Sequence, residues 1–167
     1  MRTVALRHGT KDPLELLDRP LLTESEWLAE VNAELDGKLP LATLADAWFD
    51  GRVTNQAWLD VLYELRSERV RIGMLSNMVP TWDSHWRQMV NPDEIFEHVV
   101  LSYKVGFRKP ESGIFALAAQ QAGVSASQCV LVDDMQQNCE GAIAAGWHAI
   151  HFQDAEAARK QLLQIIS

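Results

Sequence analysis

Short apolar runs alternate with amphipathic stretches through the second half of this chain. Val70-Arg71-Ile72-Gly73-Met74-Leu75, His98-Val99-Val100-Leu101-Ser102, Cys129-Val130-Leu131-Val132 and His148-Ala149-Ile150-His151-Phe152 each read as a strand. Helical patterns separate them, over about Thr81 to Val90, Glu111 to Ala122 and Gln136 to Ala145, and a last one follows from about Ala155 to Ile165. In the second of these, Ile114, Leu117, Ala118 and Gln121 recur at spacings of three and four, and Gly123 follows as a stop. Strands this short and apolar are buried on both faces. Helices between them imply a parallel sheet covered on both sides.

The first half has a different pattern. Thr23-Glu24-Ser25-Glu26 spells a capping box, opening a helix that runs through about Leu35 and stops at Gly37. A second helix fits Leu41 to Phe49, and a third fits Gln56 to Arg66 after the polar break at Thr54-Asn55. Three helices without a strand read as an all-helical insert beside the sheet. The organisation expected is therefore a first core strand within residues 1–10, a partial helical cap over 11–68 and an α/β core over 69–167.

Composition narrows the classes of function. At 167 residues the chain suffices for one domain with a small insert. A formal charge of −8 speaks against nucleic acid or an anionic membrane as partner, since both demand a concentrated basic face. No apolar run approaches the roughly 20 residues of a membrane span. Met1 to Arg7 is charged too early for a secretory leader, and Cys129 and Cys139 are too few for a disulfide framework. Buried thiols in a reducing, cytoplasmic setting are the expectation.

Three polar clusters follow three of the strands: Ser76-Asn77 after Leu75, Arg108-Lys109-Pro110 after the second run, and Asp133-Asp134 with Asn138 after Val132. Each alone has a simple structural reading, as a turn, a loop-to-helix junction or a helix cap. Ligands of an open parallel sheet, however, bind beyond the carboxyl ends of its strands. A hydroxyl, a lysine and a carboxylate pair arriving there suit a phosphate and a hard divalent cation. His148 and His151, three apart on one strand, point to opposite faces and cannot share a metal.

In this order and spacing the clusters resemble motifs II, III and IV of the haloacid dehalogenase-like (HAD) superfamily. Gly73-Met74-Leu75-Ser76-Asn77 is similar to motif II, Lys109 within Val105-Gly106-Phe107-Arg108-Lys109-Pro110-Glu111 to motif III, and Val130-Leu131-Val132-Asp133-Asp134 to motif IV. The double aspartate, with Asn138 and Gly146 to Phe152 behind it, is similar to the subgroup of sugar-phosphate phosphatases and the phosphatase domain of soluble epoxide hydrolases. The resemblance implies a Rossmannoid α/β sandwich with a helical cap, here reduced. It implies a small phosphorylated metabolite held by Ser76, Asn77 and Lys109, and Mg²⁺ held by Asp133 and Asp134. It also implies an aspartate nucleophile at the end of a central first strand.

That nucleophile is missing from the pattern. With Gly9-Thr10 as anchor, Leu6 falls at the nucleophile position and His8 at the acid/base position, and a histidine there has nothing to assist. Asp12 and Asp18 follow no apolar strand and offer no substitute. Two expectations result: crippled phosphatase chemistry with weak or absent Mg²⁺ binding, or a non-catalytic module binding a ligand or a protein. The central place in the sheet is expected to be filled by Arg2 to Arg7, with Val4 and Leu6 on one face and Thr3 and Ala5 on the other. Otherwise it would be filled by a segment of a second copy, in a strand-swapped homodimer.

Overall fold

The computed structural model describes residues 1–38, 44–68 and 70–166. Among the described residues four strands form two separate parallel pairs. β1 (Gly73–Ser76) pairs with β2 (His98–Leu101), Ser76 opposite Leu101; β3 (Val130–Asp133) pairs with β4 (His148–His151), Asp133 opposite His151. The register brings the polar carboxyl ends of each pair level, which is where the sequence clusters sit.

Helices fill the connections as the apolar spacing requires. A 3₁₀ turn at Pro80–Trp82 leads into α6 (Asp83–Met89), and α9 (Ser112–Ala122) and α10 (Gln136–Ala144) follow β2 and β3. Between β2 and α9 lies a single turn, α8 (Ser102–Val105). α9 and α10 cover one side of the strands, where Ile114, Phe115 and Ala142 pack with Val100 and Leu131; Leu75 and Ala149 adjoin the same cluster. One apolar layer therefore underlies both strand pairs. On another side α11 (Ala155–Ile166) packs with α5 (Gln56–Ser67) over Ile150. α5, grouped above with the helical insert, thus packs against the α/β layers.

The capping box forms as expected. Thr23 accepts the Glu26 N–H at 3.2 Å, Glu26 accepts the Thr23 N–H at 2.8 Å, and α3 (Glu24–Glu34) begins there. α4 covers Leu44–Phe49, so the expected start of that helix at Leu41 lies outside the described residues. α3, α4 and the short α2 (Glu15–Asp18) enclose a core of Leu16, Leu17, Trp27, Val31, Trp82 and Trp86.

The N-terminal expectation fails. Arg2–Arg7 is a helix, α1, and among the described residues no strand lies beside β1 other than β2, or beside β3 other than β4. The cause is visible in the burial. Adjacent Val4 and Ala5 are both fully buried while Leu6 is exposed, so one face of the short helix packs inward and the other meets solvent. Burying Val4 contributes about 1.5–3 kcal/mol. Outside, Arg7 reaches Glu30 and Glu34 of α3 at 3.0 and 3.4 Å, and Leu6 is exposed. Leu6 therefore occupies no position at a strand end.

Candidate functional site

The loop ends of both strand pairs meet at Lys109. Asn77, directly after β1, receives the Lys109 N–H on its Oδ1 at 2.7 Å and donates its Nδ2 to the Lys109 carbonyl at 2.9 Å. This two-point clamp engages both ends of the amide, so the Asn77 side chain, expected above at the ligand, positions Lys109. The clamp turns the lysine side chain toward β3, where Nζ lies 2.5 Å from Asp133 Oδ2. Both partners are buried, at 9% and 7% exposure.

Asp133 is held from the other side as well. Its Oδ1 accepts the Met135 N–H at 2.8 Å and the Asn138 Nδ2 at 2.9 Å. Burial by itself would raise the carboxyl's pKa. The Lys109 charge and hydrogen bond, with the Met135 and Asn138 donors, outweigh it and hold the group below the ordinary aspartate range. Asn138 Oδ1 is buried without a hydrogen-bond partner.

Ser76 adds a half-buried hydroxyl at the end of β1. Its contact to the Asn77 carbonyl is long, 3.4 Å, so the hydroxyl remains free to meet another partner. An ammonium has three N–H donors, and the ion pair with Asp133 uses one. The remaining N–H groups of Lys109 and the Ser76 hydroxyl are donors left over by these contacts.

Asp134 is exposed, its carbonyl accepting from His151 Nε2 at 2.9 Å while its carboxylate has no partner among the described residues. Asp133 and Asp134, the pair expected to hold Mg²⁺, stand side by side at the end of β3. Both Asp133 oxygens are engaged, and no group of three or more His, Cys, Asp or Glu able to hold a metal occurs among the described residues.

His8 is not at this edge. It closes the end of α1 and faces Glu30 at 3.0 Å, on the helical side of the molecule. Its alignment depended on a strand that does not form. The two features that sequence reasoning passed over are the partners of Arg108 and the buried Ser102. Arg108 adjoins Lys109 in the sequence, but the residues that fix it lie some 90 positions away.

The haloacid dehalogenase-like hydrolase family model matches residues 8–146, and the chain belongs to that family. A sesquiterpene phosphatase of Aspergillus oryzae is 30% identical over 118 residues, which are 70% of this chain and 57% of that protein. A glyceraldehyde 3-phosphate phosphatase of Pyrococcus abyssi is 31% identical over 96 residues, 56% of this chain and 40% of its own. The chain thus spans about half the length of these relatives. In fold it is similar to a HAD family enzyme of Bacteroides thetaiotaomicron, with a TM-score of 0.78 at 21% identity, covering 97% of this chain and 83% of that one. The wild-type complex of that enzyme with magnesium and inorganic phosphate aligns with a TM-score of 0.71 at 24% identity, over 93% of this chain and 83% of the other.

Proposed function

We propose that this chain binds a phosphate group, free or on a small molecule, at Lys109 and Ser76, and that it turns over phosphate esters at or near background as it stands. The observation that carries this reading is the isolation of Lys109. It makes one ion pair, with Asp133, and no second carboxylate stands beside it among the described residues. A phosphoryl group placed there meets donors, and the one carboxylate at hand, Asp133, has both oxygens already engaged. Covalent catalysis is then unavailable, and its loss removes several powers of ten in rate at about 1.4 kcal/mol per factor of ten. The phosphatase relatives favour a phosphate monoester of a small metabolite as the ligand. Mg²⁺ would meet a single free carboxylate, Asp134, and bind weakly.

The test pairs turnover with binding. Hydrolysis of an aryl phosphate with Mg²⁺ should stay at background, while inorganic phosphate shifts the amide signals of Ser76 and Lys109 in a titration. Lys109→Gln and Ser76→Ala should each weaken that titration. Robust turnover abolished by Lys109→Gln would refute the catalytic half of the reading. A titration indifferent to both substitutions would refute the binding half.

A further inference from the structure

The buried surroundings of Arg108 tie the helical side of the molecule to both loops of the anion site, and one residue takes part in both ties. Asp18, at the end of α2, is 2% exposed. Its carboxylate grips the Arg108 guanidinium with two hydrogen bonds, Nε to Oδ1 at 2.9 Å and Nη2 to Oδ2 at 2.9 Å. Its carbonyl accepts the Ser102 hydroxyl at 2.8 Å, and that hydroxyl, fully buried, accepts the Met78 N–H at 2.9 Å. Arg108 immediately precedes Lys109, and Met78 immediately follows Asn77. One buried residue thus holds the backbone on both sides of the clamp that aims Lys109.

Other charges crowd the same guanidinium. Asp12 lies 2.6 Å from Arg108 Nη2 with a side chain 41% exposed, and Glu15 lies 3.9 Å from Nη1. Arg19 reaches Glu15 and Glu111, and Glu111 also accepts the Arg108 N–H. The two partners of the central pair pull in opposite directions. Burial pushes the Asp18 carboxyl up despite Arg108, whereas Asp18 and Asp12 outweigh burial at Arg108 and push it further up. The two-point contact at 2.9 Å is that of an ion pair, and Asp18 is taken as ionised at neutral pH.

We propose that Asp18 is a positioning residue of the anion site, acting through Arg108 on Lys109 and through Ser102 on the Ser76–Met78 loop. This rests on the phosphate-binding reading above. It makes a prediction whose sign separates geometry from charge. Removing a negative charge near an anion site should tighten anion binding by simple electrostatics. If Asp18 acts by positioning, its loss must loosen it.

The experiment uses the whole chain and inorganic phosphate, with two readouts on the same samples. Hydrogen exchange at the Lys109 and Met78 amides, without phosphate, reports whether the two loops are held. A phosphate titration reports affinity. Asp18→Asn should speed exchange at both amides and weaken phosphate about fivefold, while Asp12→Asn should not weaken it. On an Arg108→Gln background, Asp18→Asn should have little further effect on Lys109, because the link is already broken. Arg108→Lys, which keeps the charge but not the two-point grip, serves if Arg108→Gln fails to fold.

Tighter phosphate binding by Asp18→Asn, or unchanged exchange at Lys109 and Met78, would overturn the proposal. If wild-type protein shows no phosphate titration at all, the binding reading fails separately, and the exchange measurement still decides the role of Asp18.

Discussion

The Lys109–Asp133 pair carries the strongest single-residue consequence. Two buried charges 2.5 Å apart are each other's main compensation. Removing one leaves the other unpaired in a poorly solvated place, at a cost of about 3–5 kcal/mol. Lys109→Met should therefore lower the urea midpoint far more than the double variant Lys109→Met/Asp133→Asn, which removes both charges and keeps the Oδ1 acceptor of Met135 and Asn138. Equal losses would show that the pair is not the source. The acid limb of stability has a defined sign. Asp133 is held below its ordinary 3.8 in the folded protein, so its contribution is present above that value and is lost as pH falls through the folded pKa. Asp18, pushed above 3.8, acts in the opposite direction, favouring the folded state as pH falls through its window. Urea midpoints followed from about pH 5 to pH 3 should decline less steeply in Asp133→Asn than in wild type. In Asp18→Asn they should decline more steeply.

Two glycines show how closely the elements are set around Lys109. A Cβ on Gly141, inside α10, would lie 2.5 Å from both the Cβ and the carbonyl oxygen of Pro110, the residue after Lys109. Alanine is intrinsically better in a helix by about 1 kcal/mol, but here backbone must move to admit it. Overpacking of this kind costs about 1–3 kcal/mol and wins. Gly141→Ala should destabilise the protein and displace the Lys109 amide signal. Gly113 on α9 offers the contrast. The three atoms nearest its Cβ would all belong to the ring of Phe107, which is 45% exposed and free to swing aside. Gly113→Ala should be neutral or slightly stabilising, and thermal unfolding of the two variants checks both statements. Close approaches of this sort leave little trace in a single sequence. The strands and their helices were legible because each apolar run is bounded by polar or glycine breaks, and the capping box because Thr23 and Glu26 name their own partners. α1 was not. Thr3-Val4-Ala5-Leu6 is too short for its periodicity to choose between helix and strand. The strand reading came from the place in the sheet that the family resemblance required filled, whereas packing of Val4 and Ala5 against α3 and its neighbours decided the outcome. Asp18 was legible as a carboxylate but not as a partner of Arg108, since nothing local joins residues 90 positions apart.

For the whole molecule the governing feature is a sheet in two halves. Leu75 and Leu131 adjoin the same apolar layer, and Lys109 links the ends of β1 and β3, yet each of these strands is hydrogen-bonded along one edge only among the described residues. A free edge presents unpaired N–H and C=O groups and is a template for another strand. Arg2–Arg7 does not supply that strand, because it is committed as a helix with Val4 and Ala5 buried. Besides the insertion of a segment from a second copy, pairing of the free edges of two copies is therefore an expectation to test. The net charge of −8 opposes such contact through mutual repulsion, and salt screens it. Self-association should thus rise with protein concentration and rise further between about 0.01 M and 0.5 M salt, the reverse of a contact built on opposite charges. Sedimentation velocity at several concentrations checks the first part, and repeating it across the salt series checks the second. Hydrogen exchange gives the independent measure. Amides on the free edges of β1 and β3 should exchange quickly in dilute protein and slow as the larger species forms. A monomer at every concentration and salt level, with those amides slow throughout, would mean that both edges are already covered and would overturn this view of the sheet.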